Sequence, residues 1–121
     1  MKDITLTVAL LILFTHWIAD FVCQTDEMAV NKSKSNFWLS LHVFVYTAWL
    51  IPLAWYIFDG DIERTVMWVG ANMSLHYAVD FWTSRINSWL WQQERRHDFF
   101  VMVGLDQLIH YTCLLSLYAV L

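Results

Sequence analysis

Residues 4–23 read ITLTVALLILFTHWIADFVC, apolar almost throughout, with His16 and Asp20 near the close. A transmembrane helix needs about 20 consecutive, mostly apolar residues, and this stretch supplies them. Three more stretches of this kind follow, at 37–58 with Pro52 inside it, at 65–90, the most polar, and at 99–121. The segments between them, 24–36, 59–64 and 91–98, are polar and short. The expected fold is therefore all-α: a polytopic membrane protein with four transmembrane helices in one domain over 1–121. A cleaved signal peptide is the competing reading of residues 4–23. Against it stand a weak basic start, no small-x-small cleavage site, and His16 and Asp20 near the end.

Composition agrees. Of 121 residues, 59% are hydrophobic and 15% charged. Soluble domains run at about 45–50% and about 25%, and so small a chain cannot hide that much apolar surface in one water-soluble core. The eight Trp and five Tyr are residues that favour bilayer interfaces. The net charge of −4 comes with no basic patch, which argues against nucleic-acid binding. Cys23 and Cys113 form neither a CxxC motif nor a disulfide framework, and read as packing residues.

Orientation follows from Lys and Arg, which favour the cytoplasmic side. Lys32, Lys34, Arg85, Arg95 and Arg96 lie at one end of the expected bundle, Lys2 and Arg64 at the other. The first and third loops are then cytoplasmic. Both termini are then outside.

The chain also repeats itself. His16-Trp17-Ile18-Ala19-Asp20-Phe21 and His76-Tyr77-Ala78-Val79-Asp80-Phe81 share the pattern His-aromatic-x-x-Asp-Phe. Each motif is followed by a helix bearing a histidine, His42 and then His110, the latter in Asp106-x-x-x-His110. The expectation is a two-fold internal repeat of helix pairs, related by an axis along the membrane normal.

Seven ionisable residues thus fall inside apolar spans: His16, Asp20, His42, His76, Asp80, Asp106 and His110. Each costs about 2.5–3.5 kcal/mol at membrane depth, so they should face one another. The i, i+4 spacing puts each His–Asp pair on one helix face. All lie toward the same end, with His76 and His110 expected deeper, near the midplane. Imidazole with carboxylate suits a divalent metal, zinc or manganese foremost, with iron or nickel as alternatives. Seven donors would serve one ion or two, as helix bundles do elsewhere, and an ion with an open position activates water for hydrolysis. Asp20, Asp80 and Asp106 are the candidate general bases. Gln24, Lys32, Arg85 and Gln107 are the candidate substrate contacts, the two cations for a phosphate head group. Asn72 lies one turn before His76, and His97 lies in a polar loop outside the site.

The string His16-x-x-x-Asp20-Phe21-x-x-Gln24, then Lys32 and His42, with Asp106-Gln107-x-x-His110 later, resembles domain of unknown function family 3307. The resemblance implies a small integral membrane protein of bacteria or phages, of no settled activity. A looser likeness is to the LexA-regulated membrane-bound proteins to which metal-dependent hydrolysis is ascribed, and it points to hydrolysis by analogy. Three functions are in view. The first is a metal-dependent hydrolase of a lipid or lipid-linked phosphate. The second is a metal-ion or proton transporter, for which a homo-oligomer would widen the conduit. The third is a non-catalytic membrane adaptor with a structural metal.

Overall fold

The computed structural model describes residues 1–121 and is all-α. Helix α1 spans Leu6–Trp17 and runs directly into a π-helical turn, Ile18–Val22. A short helix α2, Asp26–Asn31, precedes α3, Asn36–Ile57; α4 spans Ile62–Gln92 and α5 spans Arg96–Val120. The four long helices fall on the four apolar stretches of the sequence. Helix α2 lies where a loop is expected: Thr25 Oγ1 accepts a hydrogen bond from the Met28 N–H at 3.2 Å, and Met28 is buried. An N-cap and one apolar anchor suffice to make a single helical segment there.

Local signals explain the ends. Thr5 caps α1 through the Val8 N–H. Between α3 and α4 the chain turns through Asp59 (φ 52°) and Gly60 (φ 77°). A Cβ on Gly60 would stand 3.3 Å from the Trp55 ring, so both the left-handed backbone and the close ring call for glycine. Asp61 then caps α4, accepting from the Arg64 N–H at 3.0 Å and from Arg64 Nε at 2.8 Å.

Around the bundle, α1 packs on α3 and α5, and α4 packs on the same two helices. Helices α1 and α4, the bearers of the matching motifs, therefore sit diagonally opposite. The Lys2 N–H donates to Ala119 O at 2.8 Å, which puts the start of the chain beside the end of α5. At this end of the bundle the interior is apolar, built from Ile12, Leu50, Ala54, Phe58, Trp68, Leu114 and Tyr118. The Trp68 indole N–H is satisfied by Leu114 O at 3.1 Å. Toward the other end the interior is polar and holds His16, Asp20, His42, His76, Asp80, Asp106 and His110, all buried.

The outer surface is rich in large apolar side chains, among them Phe14, Phe44, Trp55, Val66, Trp82 and Leu108. Two helices, α3 and α5, are long and apolar enough to cross a membrane. Only 11% of the apolar window of α5 is buried, whereas the core helix of a soluble bundle would be mostly buried. The sequence leads one to expect four such helices. Helix α1 with its π turn, Leu6–Val22, is shorter. Helix α4 carries Asn72, Ser74, His76 and Asp80 along its middle, which lowers its hydropathy.

Candidate metal centre

The site forms where the π turn of α1 meets the first turns of α3 and the middles of α4 and α5. In a π turn the chain carries one extra residue per turn, and such turns often mark functional sites. Here it holds Asp20. The Asp20 carboxylate points inward, with Oδ1 at 3.0 Å from His42 Nε2 on α3 and 3.6 Å from His76 Nε2 on α4. Asp80 Oδ2 lies 3.1 Å from His42 Nε2 and 3.3 Å from His76 Nε2, and the two ring nitrogens are 3.1 Å apart. Asp20, His42, His76 and Asp80 thus bring one donor atom each into a single cluster, and all four are buried.

The distances carry chemical meaning. A tetrahedral ion with ligands at 2.0–2.1 Å has ligand–ligand edges of about 3.3–3.4 Å, and the edges given above run from 3.0 to 3.6 Å. Proton placement points the same way. Two imidazole Nε2 atoms at 3.1 Å cannot both carry a hydrogen toward each other, yet each faces carboxylates that need a donor. A cation shared by all four atoms removes that conflict, because every one of them then offers a lone pair. The Nδ1 atoms of His42 and His76 have no protein partner, so both rings make their polar contacts only through Nε2.

A second group flanks the first. His110 Nε2 lies 3.0 Å from Asp80 Oδ1 and 3.3 Å from Asp106 Oδ1, and Asp20, Asp106 and His110 can bring their donor atoms together. Thr83 Oγ1 sits 2.7 Å from Asp106 Oδ1. Gln107 Nε2 donates to Asp20 Oδ2 at 3.2 Å and Asp106 Oδ2 at 3.0 Å. His16 stands behind this layer, outside both groups. Its Nε2 donates to Gln107 Oε1 at 2.7 Å, and the Tyr46 hydroxyl donates to its Nδ1 at 3.0 Å. Both ring nitrogens are thereby engaged, and Asp20 Oδ2 is 3.5 Å away. In this arrangement His16 positions Gln107 and, through it, Asp20.

Lys32 reaches into the centre from the segment after α2, its Nζ donating to Asp80 Oδ2 at 3.0 Å. Burial pushes the pKa of the Lys32 ammonium down, but the Asp80 and Asp20 carboxylates outweigh burial and hold it above the usual lysine value. Three carboxylates, Asp20, Asp80 and Asp106, crowd the centre beside this one ammonium, a setting that favours a cation. Beside the cluster opens a cavity of about 570 Å³, bordered by Asp20, Gln24, Lys32, Lys34, Asp106 and Gln107 among others.

The structure places the expected residues as follows. His42, His76, His110, Asp20, Asp80 and Asp106 converge. The rings of His76 and His110 stack at 4.2 Å and both reach Asp80, since an imidazole spans the step of about 6 Å between residues four apart. Gln24, Lys32 and Gln107 border the cavity, whereas Arg85 does not. Its guanidinium lies over the Phe81 ring and donates to Phe81 O and Asn36 Oδ1, held by its own helix and by the start of α3. The Asn72 amide is spent on Trp68 O, and His97 is exposed. Tyr46 and Thr83 escape the sequence reading. Tyr46 follows His42 by four residues and stacks on His76 at 3.8 Å, so helical spacing could have found it.

The sequence profile of a protein family of unknown function, DUF3307, matches residues 7–121. The chain belongs to the DUF3307 family. The match covers every helix that contributes to the centre. No protein with a curated description and no solved structure matches the chain.

Proposed function

We propose that this DUF3307 chain is a membrane-embedded, metal-dependent hydrolase acting on a phosphate ester of a lipid or lipid-linked compound. The observation that carries the reading is the buried cluster of Asp20 Oδ1, His42 Nε2, His76 Nε2 and Asp80 Oδ2, in which five of the six donor–donor distances lie between 3.0 and 3.6 Å. Two imidazoles with two carboxylates suit zinc or manganese. The flanking Asp106–His110 pair offers donors for a second ion. A divalent ion with an open position supplies a water that ionises near neutral pH.

The chain's own residues divide the remaining work. Asp20 and Asp80 hold the ion. Asp106 borders the cavity and keeps its carboxylate in contact with His110 and Thr83, which suits it to accept a proton from a water. Lys32, between Asp80 and the cavity, receives the phosphate charge.

The apolar exterior and the two span-length helices support a multi-pass membrane placement. In the fuller form of this reading all four long helices cross, and the lysine- and arginine-bearing loops face the cytoplasm of a bacterial inner membrane with both termini periplasmic. The diagonal placement of α1 and α4 supports the internal repeat. So does the matching pair His42–Asp20 and His110–Asp80, each at 3.0 Å. Transport is the weaker reading, because the other half of the bundle is filled by the apolar layer of Ile12, Leu50, Phe58, Trp68 and Leu114, with no polar path through it.

Metal content tests the proposal. Detergent-purified protein, prepared without chelators, should hold one or two divalent transition-metal ions per chain by mass spectrometry. His76→Ala should lose at least one and release no phosphate from lipid phosphates. Equal metal content and equal turnover in the two proteins would sink the reading.

A further inference from the structure

The cavity beside the metal centre has more polar lining than ion binding requires. Gln24 Oε1, Ser84 Oγ and Asn87 Oδ1 are buried without a hydrogen-bond partner, and all three residues border this one cavity. Ser84 is only 8% exposed. Buried polar groups in native proteins are nearly always paired, so three orphans around one cavity indicate a partner that comes from outside the chain. Two of the three atoms are amide oxygens, which can only accept. Their partner must therefore donate, as hydroxyl groups do.

The same cavity carries Lys32 and Lys34 with Asp20 and Asp106; the two carboxylates belong to the metal cluster, so the cation left over at the mouth, Lys34, is what asks for an anion. Lys32 is already held by Asp80; Lys34 is exposed and has no ion-pair partner. Toward the bundle surface the lining turns apolar, with Phe21, Val30 and Trp91 all exposed, a surface suited to acyl chains.

We infer that this cavity binds a negatively charged phosphate ester whose other substituent carries hydroxyl groups, as in a polyol or sugar phosphate head group. The lysines take the phosphate, and Gln24, Ser84 and Asn87 take the hydroxyls. The inference deepens the proposed hydrolase and rests on it for the reaction, while the head-group preference is read from Lys34, Gln24, Ser84 and Asn87, none of which belongs to the metal cluster. It also sets a preference: an anionic hydroxylated head group over a choline or ethanolamine one.

The test uses full-length protein in detergent, titrated with phosphatidylglycerol, phosphatidylcholine and phosphatidylethanolamine, and separately with water-soluble glycerol 3-phosphate. Phosphatidylglycerol should bind at least tenfold tighter than either zwitterionic lipid. Lys34→Gln, an exposed change that leaves the fold alone, and Asn87→Ala should each shrink that preference several-fold. Tighter binding of the lipid than of glycerol 3-phosphate assigns the ligand to the bilayer; equal binding assigns it to the aqueous phase. Equal affinity for the three lipids, or a preference unmoved in both variants, would overturn the inference. Metal content of the same samples separates the two proposals. Metal-free protein that still prefers phosphatidylglycerol keeps this inference and loses the hydrolase; metal-bound protein without the preference does the reverse.

Discussion

Lys32 Nζ and the proposed ion lean on the same oxygen, Asp80 Oδ2. That overlap gives Lys32→Met a definite sign. Removing the ammonium frees the oxygen and takes a positive charge away from the carboxylates, so zinc affinity should rise. A tenfold gain corresponds to about 1.4 kcal/mol, less than an unscreened charge at this distance would exert. Lipid-phosphate turnover should fall in the same variant, because the phosphate loses its receptor. Competition against a zinc chelator checks the first effect and phosphate release the second; weaker zinc binding would mean that Lys32 supports the site instead of competing for it. At this scale the sequence is informative because ionisable residues in apolar helices have few ways to be stable. The helical spacing therefore brings His42, His76, Asp20 and Asp80 together on paper as in the structure. What it does not disclose is which donors turn into the shared cluster. His16 has the same spacing to Asp20 as His76 has to Asp80, yet Tyr46 and Gln107, from two other helices, claim both its nitrogens. That distinction depends on neighbours 30 and 91 residues away in the chain. Arg85 differs for a similar reason, since Phe81 and Asn36 hold it clear of the cavity.

Elements follow local rules, and the rules explain which were legible. The four long helices announce themselves through apolar length. The π turn at Ile18–Val22, which packs on α3, leaves no such mark, and α2 hides in a segment whose polarity resembles a loop. The start of α4 is the better-marked case. Asp61 accepts from the Arg64 backbone and guanidinium, and these bonds hold its carboxyl below the ordinary value of 3.8. A carboxyl with a lowered folded pKa contributes stability that is present at neutral pH and lost as the pH falls through that lowered value. Asp61→Ala should therefore melt at a lower temperature than wild type at pH 7, followed by circular dichroism in detergent. The gap should narrow once the pH drops below the carboxylate range. A gap that stays constant with pH would show that the carboxylate charge is not what holds this cap.

The whole molecule inverts the usual arrangement, with carboxylates and imidazoles inside one half and aromatic and aliphatic side chains outside. In water that exterior would be exposed at about 25 cal/mol per Å² of apolar area, and in lipid it is not. Helix α4 decides how far the inversion goes. It is the longest helix, at 31 residues or about 46 Å, and it packs along both α3 and α5. If those two cross the bilayer, α4 lies beside them over the same depth, and its polar middle is satisfied by the centre and not by water. Its ends must then emerge on opposite sides. Single cysteines placed at Asp59 and Glu94, in a background with Cys23 and Cys113 changed to Ser, read this directly. In intact cells a membrane-impermeant maleimide should label Asp59→Cys and spare Glu94→Cys until the membrane is opened. Ser33→Cys should behave like Glu94→Cys, since α3 returns the chain across the same thickness. Labelling of positions 59 and 94 from the same side would leave α4 outside the membrane. The centre would then be open to water on that flank, and a lipid substrate would have to approach through the cavity alone.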